Sequence, residues 1–125
     1  MFDKIDRIKI FKIETIRGLD GHTLTTKSYI HPVNSFLYAL VRDLSAKEKL
    51  DNKALSSDVS LKATINKRHI SSDMYVEFKK RTDTESRIYS IVGIDEFNNF
   101  SNDITLFLEL AKQQIKFDKV VGTQW

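Results

Sequence analysis

A small, mainly β domain, barrel or sandwich, is the fold class that three observations predict. Short stretches of alternating apolar and polar residues recur at regular spacing through about a hundred residues, the pattern of half-buried strands. The length of 125 residues, with 41% hydrophobic and 30% charged, suits one domain with a modest core. One proline, four glycines and no repeat or low-complexity tract leave no linker. The expected organisation is therefore a single domain over 1–125, with its core in 1–111 and a C-terminal tail in 112–125.

The elements follow in chain order. In DRIKIFKIETI, Ile8, Ile10 and Lys12 face one way and Lys9, Phe11 and Ile13 the other, so the stretch reads as a strand ending at Gly18-Leu19-Asp20-Gly21. Apolar side chains on both faces mean that the second face needs a cover, from a neighbouring subunit or from the chain itself. Phe36 to Val41, an apolar run after Pro32, is the second strand. Ser45-Ala46-Lys47-Glu48 then fits a capping box that starts a short helix. Its apolar stripe, Ala46, Leu50 and Ala54, is thin and flanked by Lys47, Lys49, Asp51 and Lys53, so a solvated connector fits equally well.

Alternation resumes with Val59, Leu61, Ala63 and Ile65 against Ser60, Lys62, Thr64 and Asn66, and again with Met74, Val76 and Phe78 against Tyr75, Glu77 and Lys79. A polar tip, Arg81 to Ser86, leads into a hairpin partner over Ile88 to Ile94. Between Ile104 and Lys116 both periods fit. Thr105 and Phe107, with turn residues from Asn98 to Asp103, favour a strand that turns helical near Ala111. The tail carries Phe117, Val120, Val121 and Trp125, apolar side chains that either dock on a partner or fray.

Charge and composition narrow the function classes. Twenty Lys and Arg against 17 Asp and Glu leave a net charge of +3, too mixed to indicate nucleic acid. No cysteine means no disulfide framework and none of the usual zinc sites; a reducing compartment is compatible. No apolar run approaches the roughly 18 to 20 residues that span a bilayer, and MFDKIDRIK lacks a signal-peptide core, so the expectation is a soluble protein, cytoplasmic where made and without a membrane.

RHISSDMYVEF, residues 68–78, holds the residue types of a hydrolase site: His69, Ser71 and Asp73. They sit at alternate positions of one short connection and lack G-x-S-x-G, whereas a triad gathers its members from distant parts of a fold. A turn between strands is the expectation. His22, His31 and His69 are widely spaced and lack H-E-x-x-H, so no metal is expected. G-L-D-G lacks the phosphate-binding lysine. Tyr75, Phe78 and Tyr89 fit core packing better than base stacking. Neither a catalytic residue nor a cofactor is expected.

Two blocks carry a resemblance. Tyr38 to Glu48, YALVRDLSAKE, resembles the W-A-x-V-x-P-L-S-G-x-E stretch of the head-tail adaptor proteins of long-tailed phages, the head-closure or stopper family. Lys62 to Phe78, followed by Arg87-Ile88-Tyr89-Ser90-Ile91-Val92-Gly93-Ile94, is similar to that family's strand, I-T-x-x-M-x-V, strand, R-x-Y-x-I-x-S-V pattern, and Ile104 to Leu110 takes the place of its closing strand. Tyr38, Asp43 and Ala46 depart from the family's Trp, Pro and Gly, and the tip around Thr82 is longer than usual. The resemblance implies a six-stranded, barrel-like protomer with a long loop or short helix between the second and third strands. It implies no enzyme, but a twelvefold ring under the portal and adaptor rings, meeting a tail-completion or tail-terminator protein below and packaged double-stranded DNA, non-specifically, in its channel. A neighbouring connector ring and a small-barrel single-strand nucleic-acid binder are the alternatives. The channel-gating loop would comprise Ser45, Lys47, Glu48, Lys49, Leu50, Asp51, Asn52, Lys53, Ala54 and Leu55. The location implied is the virion head-tail interface, after assembly in the host cytoplasm.

Overall fold

The computed structural model describes residues 5–44, 59–80, 84–96, 102–111 and 117–123. They form eight strands: β1 (Asp6–Arg17), β2 (Thr23–Tyr29), β3 (Leu37–Asp43), β4 (Val59–Asn66), β5 (Tyr75–Phe78), β6 (Arg87–Glu96), β7 (Asp103–Leu110) and β8 (Lys119–Val121). There is no helix among the described residues. Six strands close an antiparallel barrel in the order β1, β3, β4, β7, β6, β5, while β2 and β8 extend the sheet from the second half of β1. The mainly β, six-stranded barrel expected from the sequence is therefore what the chain forms.

Closure depends on β1 serving more neighbours than a strand has edges. Ile8 to Phe11 pair with β5 on one side. On the other side Asp6 to Ile8 pair with β3, and Phe11 to Arg17 pair with β2. The β1–β2 turn needs Gly21 in the left-handed region, at φ 83°, where L side chains other than Asn or Asp are costly. Irregularities in register between Val59 and Leu61 in β4, and between Ile91 and Gly93 in β6, add the local bend that barrel walls require.

The interior collects the alternating residues on which the strands were assigned. Ile8, Ile10, Leu61, Ala63, Ile65, Val76, Tyr89, Ile104, Leu106 and Leu108 pack in one cluster, and each fully buried aliphatic side chain contributes about 1.5–3 kcal/mol. Phe78 and Tyr89 belong to it, as core packing required; Tyr75 lies on the outer wall instead.

Two strands were not anticipated. β2, TLTTKSY, offers no uniformly apolar face, and β8 has three residues. The C-terminal segment, expected as a helical tail, is extended over 119–121; residues 112–116, and Ser45 to Asp58 with their expected helix or loop, lie outside the described residues. The segment 117–123 lies along β2. Asp118 accepts the Thr25 N–H through Oδ2 (2.9 Å), and its own N–H donates to the Thr25 carbonyl (3.0 Å). Lys119 to Val121 pair in parallel with Thr26 to Ser28, and the Thr123 N–H donates to the His31 carbonyl (3.2 Å).

Gly122 is the tightest point of this strap. A Cβ there would stand 2.6 Å from the Val33 nitrogen and 2.7 Å from the His31 oxygen, both backbone atoms that cannot swing away. Gly122→Ala is expected to lift the strap and lower stability by about 1–3 kcal/mol, as overpacking does. Hydrogen exchange should then quicken at Val120 and Val121 but stay slow in β4 and β7; unchanged exchange at β8 would contradict the close approach.

Candidate functional site

At the division of β1's edge one backbone donor needs a partner. The Ile30 N–H donates to the Ile10 carbonyl (3.0 Å), but the Ile10 N–H points at a side chain, His31 Nε2, at 3.2 Å. An accepting Nε2 puts the ring proton on Nδ1, which lies 3.0 Å from the Pro32 carbonyl and 3.3 Å from Ser35 Oγ. Tyr29 stacks on the ring at 5.0 Å, and His31 is wholly buried. Burial holds its pKa below the usual 6.5; Lys9 and Arg68 push the same way, while the Pro32 carbonyl and Glu77 oppose them.

Outside the barrel wall, a second apolar cluster forms around Phe11, Tyr29 and Ile88, with Ile13, Tyr75, Ala111 and Phe117 packed against it. Phe11 stacks on Tyr75 at 5.7 Å and meets the edge of Phe117 at 5.6 Å. The second apolar face of β1 is thus covered by the chain's own C-terminal segment. Lys27 enters this cluster from β2, its ammonium 4.8 Å from the Phe11 ring centroid, 5.1 Å from that of Phe117 and 5.3 Å from that of Tyr29. It pairs with Glu77 of β5, and the two side chains are only 10% and 18% exposed. Burial, then the Glu77 carboxylate, raise the Tyr29 phenol above its usual 10.0, although Lys27 opposes them.

A cleft of about 510 Å³ opens at one end of the barrel, lined by Ile5, Asp6, Leu40, Val41, Arg42, Asp43, Leu61, Phe78 and Lys80. It exists because β3 runs four residues past Ala39, its last partner on β1. Asp6 Oδ2 takes the Val41 N–H at 3.0 Å and so caps the start of that overhang. An apolar floor under a rim of both charge signs suits an apolar side chain or a short extended segment.

Of the sequence-predicted positions, Phe117 is docked on Phe11, Val121 is half-buried in β8, and Val120 is exposed beside it. Ser45, Lys47, Glu48, Lys49, Leu50, Asp51, Asn52, Lys53, Ala54, Leu55 and Trp125 lie outside the described residues. In RHISSDM, the Met74 N–H donates to the Ser71 carbonyl (3.1 Å), closing a turn, and the Ser71 hydroxyl donates to the Asp73 carboxylate. That hydrogen bond lowers the pKa of Asp73, which is fully exposed. Ser71 Oγ and Asp73 thus hold a surface turn together. Among the described residues, no group of three His, Cys, Asp or Glu could hold a metal. Sequence reasoning missed His31, Lys27 and Glu77, whose roles arise only from pairing across distant strands.

No protein-family model and no curated protein matches the chain. Among solved structures, it is similar to the solution structure of protein SF1141 from Shigella flexneri 2a, a structural genomics target, with a TM-score of 0.66 and 19% identity over 86% of this chain and 93% of that one. At that identity the likeness shows the fold.

Two outcomes test these interactions. Lys27→Met leaves the Glu77 carboxylate facing aromatic rings, and should cost about 3 kcal/mol, the lower end for breaking a buried pair. Adding Glu77→Leu should recover most of that loss; a double variant as unstable as the single would contradict the pairing. For His31, the unfolded ring binds a proton near 6.5 while the folded one resists it, so unfolding takes up a proton and stability falls as pH drops below about 6.5. Urea midpoints between pH 8 and 5 should show this fall. His31→Gln, whose amide oxygen can accept the Ile10 N–H, should flatten it, and an unchanged slope would assign the effect elsewhere.

Proposed function

We propose that this chain is a structural, non-enzymatic virion protein: a head-closure subunit of the head-tail connector of a long-tailed phage. The observation that carries the reading is how the family-like pattern distributes over the barrel. The block Tyr38 to Glu48 runs from β3 into the segment that follows, Lys62 to Phe78 spans β4 to β5, Arg87 to Ile94 lies on β6, and Ile104 to Leu110 forms β7, which completes the wall between β4 and β6.

Connection length supports the same reading. β3 and β4 are antiparallel neighbours, and two to five residues would join such a pair. Here 44–58 separate them, far more than joining needs, and excess of that kind is a mark of functional loops. The segment departs beside the cleft lined by Arg42, Asp43 and Leu61. Its Lys47, Glu48, Lys49, Asp51 and Lys53 alternate in sign. Such a segment can lie near DNA without holding it tightly, because tight binding needs many uncompensated phosphate contacts.

In this reading a twelvefold ring docks beneath the portal and adaptor rings. Its 45–58 segments close the axial channel on packaged double-stranded DNA, and its lower surface receives the tail-completion protein. Assembly takes place in the host cytoplasm and the product stays at the head-tail interface.

A phage deleted for this protein should yield DNA-packed heads that leak, together with separate tails, in electron micrographs; normal virions would overturn the proposal. Removing Lys47 to Ala54 should spare docking of the ring while abolishing DNA retention, scored as nuclease-sensitive DNA in purified particles. Full retention would reject the gating role.

A further inference from the structure

His31 is bonded through its side chain and through its backbone, and the two bonds serve different elements. Its Nε2 accepts the Ile10 N–H of β1 (3.2 Å), and its carbonyl accepts the Thr123 N–H at the far end of the strap (3.2 Å). Gly122 presses on the same carbonyl, since a Cβ there would stand 2.7 Å from the oxygen. The near end of the strap reaches the ring by a second route. Tyr29 stacks on the His31 ring and meets Phe11 edge-on at 6.1 Å, and Phe11 in turn receives Phe117. A shift of this one residue therefore reaches both ends of 117–123.

The arrangement fits one protonation state. A second proton on the ring would go to Nε2, and two N–H groups would then face each other in place of a hydrogen bond. The surroundings oppose the added charge. His31 is wholly buried. Lys9 of β1 and Arg68 of the β4–β5 connection bring charge of the same sign, and Glu77 of β5 brings the opposite. Glu77 is already engaged by Lys27 of β2. On the strap, Asp118 is turned to the Thr25 N–H and Lys119 is exposed. The barrel is less exposed to such a change: its six strands pair through ladders that include neither His31 nor the strap. The strap is held by a ladder of only three residues.

We propose that His31 is a proton-operated latch: its neutral ring holds the C-terminal strap on β2, and a proton taken up at Nε2 releases the strap before the barrel opens. Release bares the Phe11 face and the β2 edge together, because one segment covers both. Acid thus converts a covered wall into an apolar one while the core stays closed. Short, weakly anchored terminal elements open locally at lower cost than the strands they lie on. The inference is independent of the connector reading.

Amide exchange on the full-length protein between pH 8 and 5, each rate corrected for its intrinsic pH dependence, tests the latch. Strap amides report release alone, since they exchange while the barrel amides are still protected. A freed imidazole takes up its proton near pH 6.5, so the opening constant at Asp118 and Thr123 should rise up to about thirtyfold across this range. Amides of β4 and β7 should remain slower than both at every pH. Opening constants at the strap that ignore pH would overturn the latch. In His31→Gln, which keeps an acceptor but does not titrate, the rise should vanish; a rise that persists would assign release to Asp118 or Glu77 instead. Gly122→Ala supplies the reciprocal measurement with His31 in place. Coupling is mutual, so lifting the strap should bring the His31 titration, followed by the NMR shifts of its ring, closer to 6.5. A titration that does not move would reject the link between ring and strap.

Discussion

One neutral histidine settles how a single strand serves three neighbours. β1 passes its edge from β3 to β2 within three residues, and the Ile10 amide falls in the gap. A buried N–H without an acceptor costs about 1–3 kcal/mol, and no strand is there to supply one. His31 Nε2 does. Lysine or arginine offers no acceptor at this place, whereas a neutral imidazole accepts on one nitrogen and donates on the other. Pro32 follows and biases His31 toward extended backbone, so the chain leaves β2 and crosses to β3 at that point. Closure of the barrel and attachment of β2 therefore share one ring and its charge state.

The outer wall has a similar conditional character. Phe11 is buried although it faces away from the barrel interior, because Phe117 and Tyr75 enclose it. Lys27 is buried because Glu77 and three ring faces receive its ammonium. A buried ion pair is weak support for stability in itself, since desolvation opposes attraction. Its value here is geometric. Lys27 comes from β2 and Glu77 from β5, on either side of β1, so the pair ties together strands that share no ladder.

What the sequence revealed follows from this division of labour. Val59 to Ile65 and Ile104 to Leu108 show the barrel interior directly, because burial inside depends only on alternation along each strand. Between Ile104 and Lys116 both periods fitted, and Thr105 and Phe107, with the turn residues before them, favoured the strand that β7 forms; Thr105 is buried on the outer wall, its hydroxyl 3.2 Å from that of Thr64. β2 escaped because Lys27 and Tyr29 occupy the face that needed to look apolar, and their burial requires Glu77, fifty residues away in sequence. The two apolar faces of β1 were legible, but the identity of the cover was not: Phe117 is a lone aromatic whose place depends on the strap reaching β2. RHISSDM proved to be a turn for the reason its spacing suggested, adjacent hydroxyl and carboxylate groups bonding locally.

The strap has one more effect, on what the molecule avoids. A closed barrel has no lateral edge, but an appended strand restores one, and long flat edges invite uncontrolled pairing with other chains. β8 occupies the β2 edge over only three residues, Lys119 to Val121. Asp118 precedes it with its side chain already bonded to Thr25, and Gly122 follows it pressed against the backbone of His31 and Val33. The outward edge of β8 is three residues long and starts with a lysine, short for templating a foreign strand. A short, lysine-led edge of this kind keeps stray adhesiveness low.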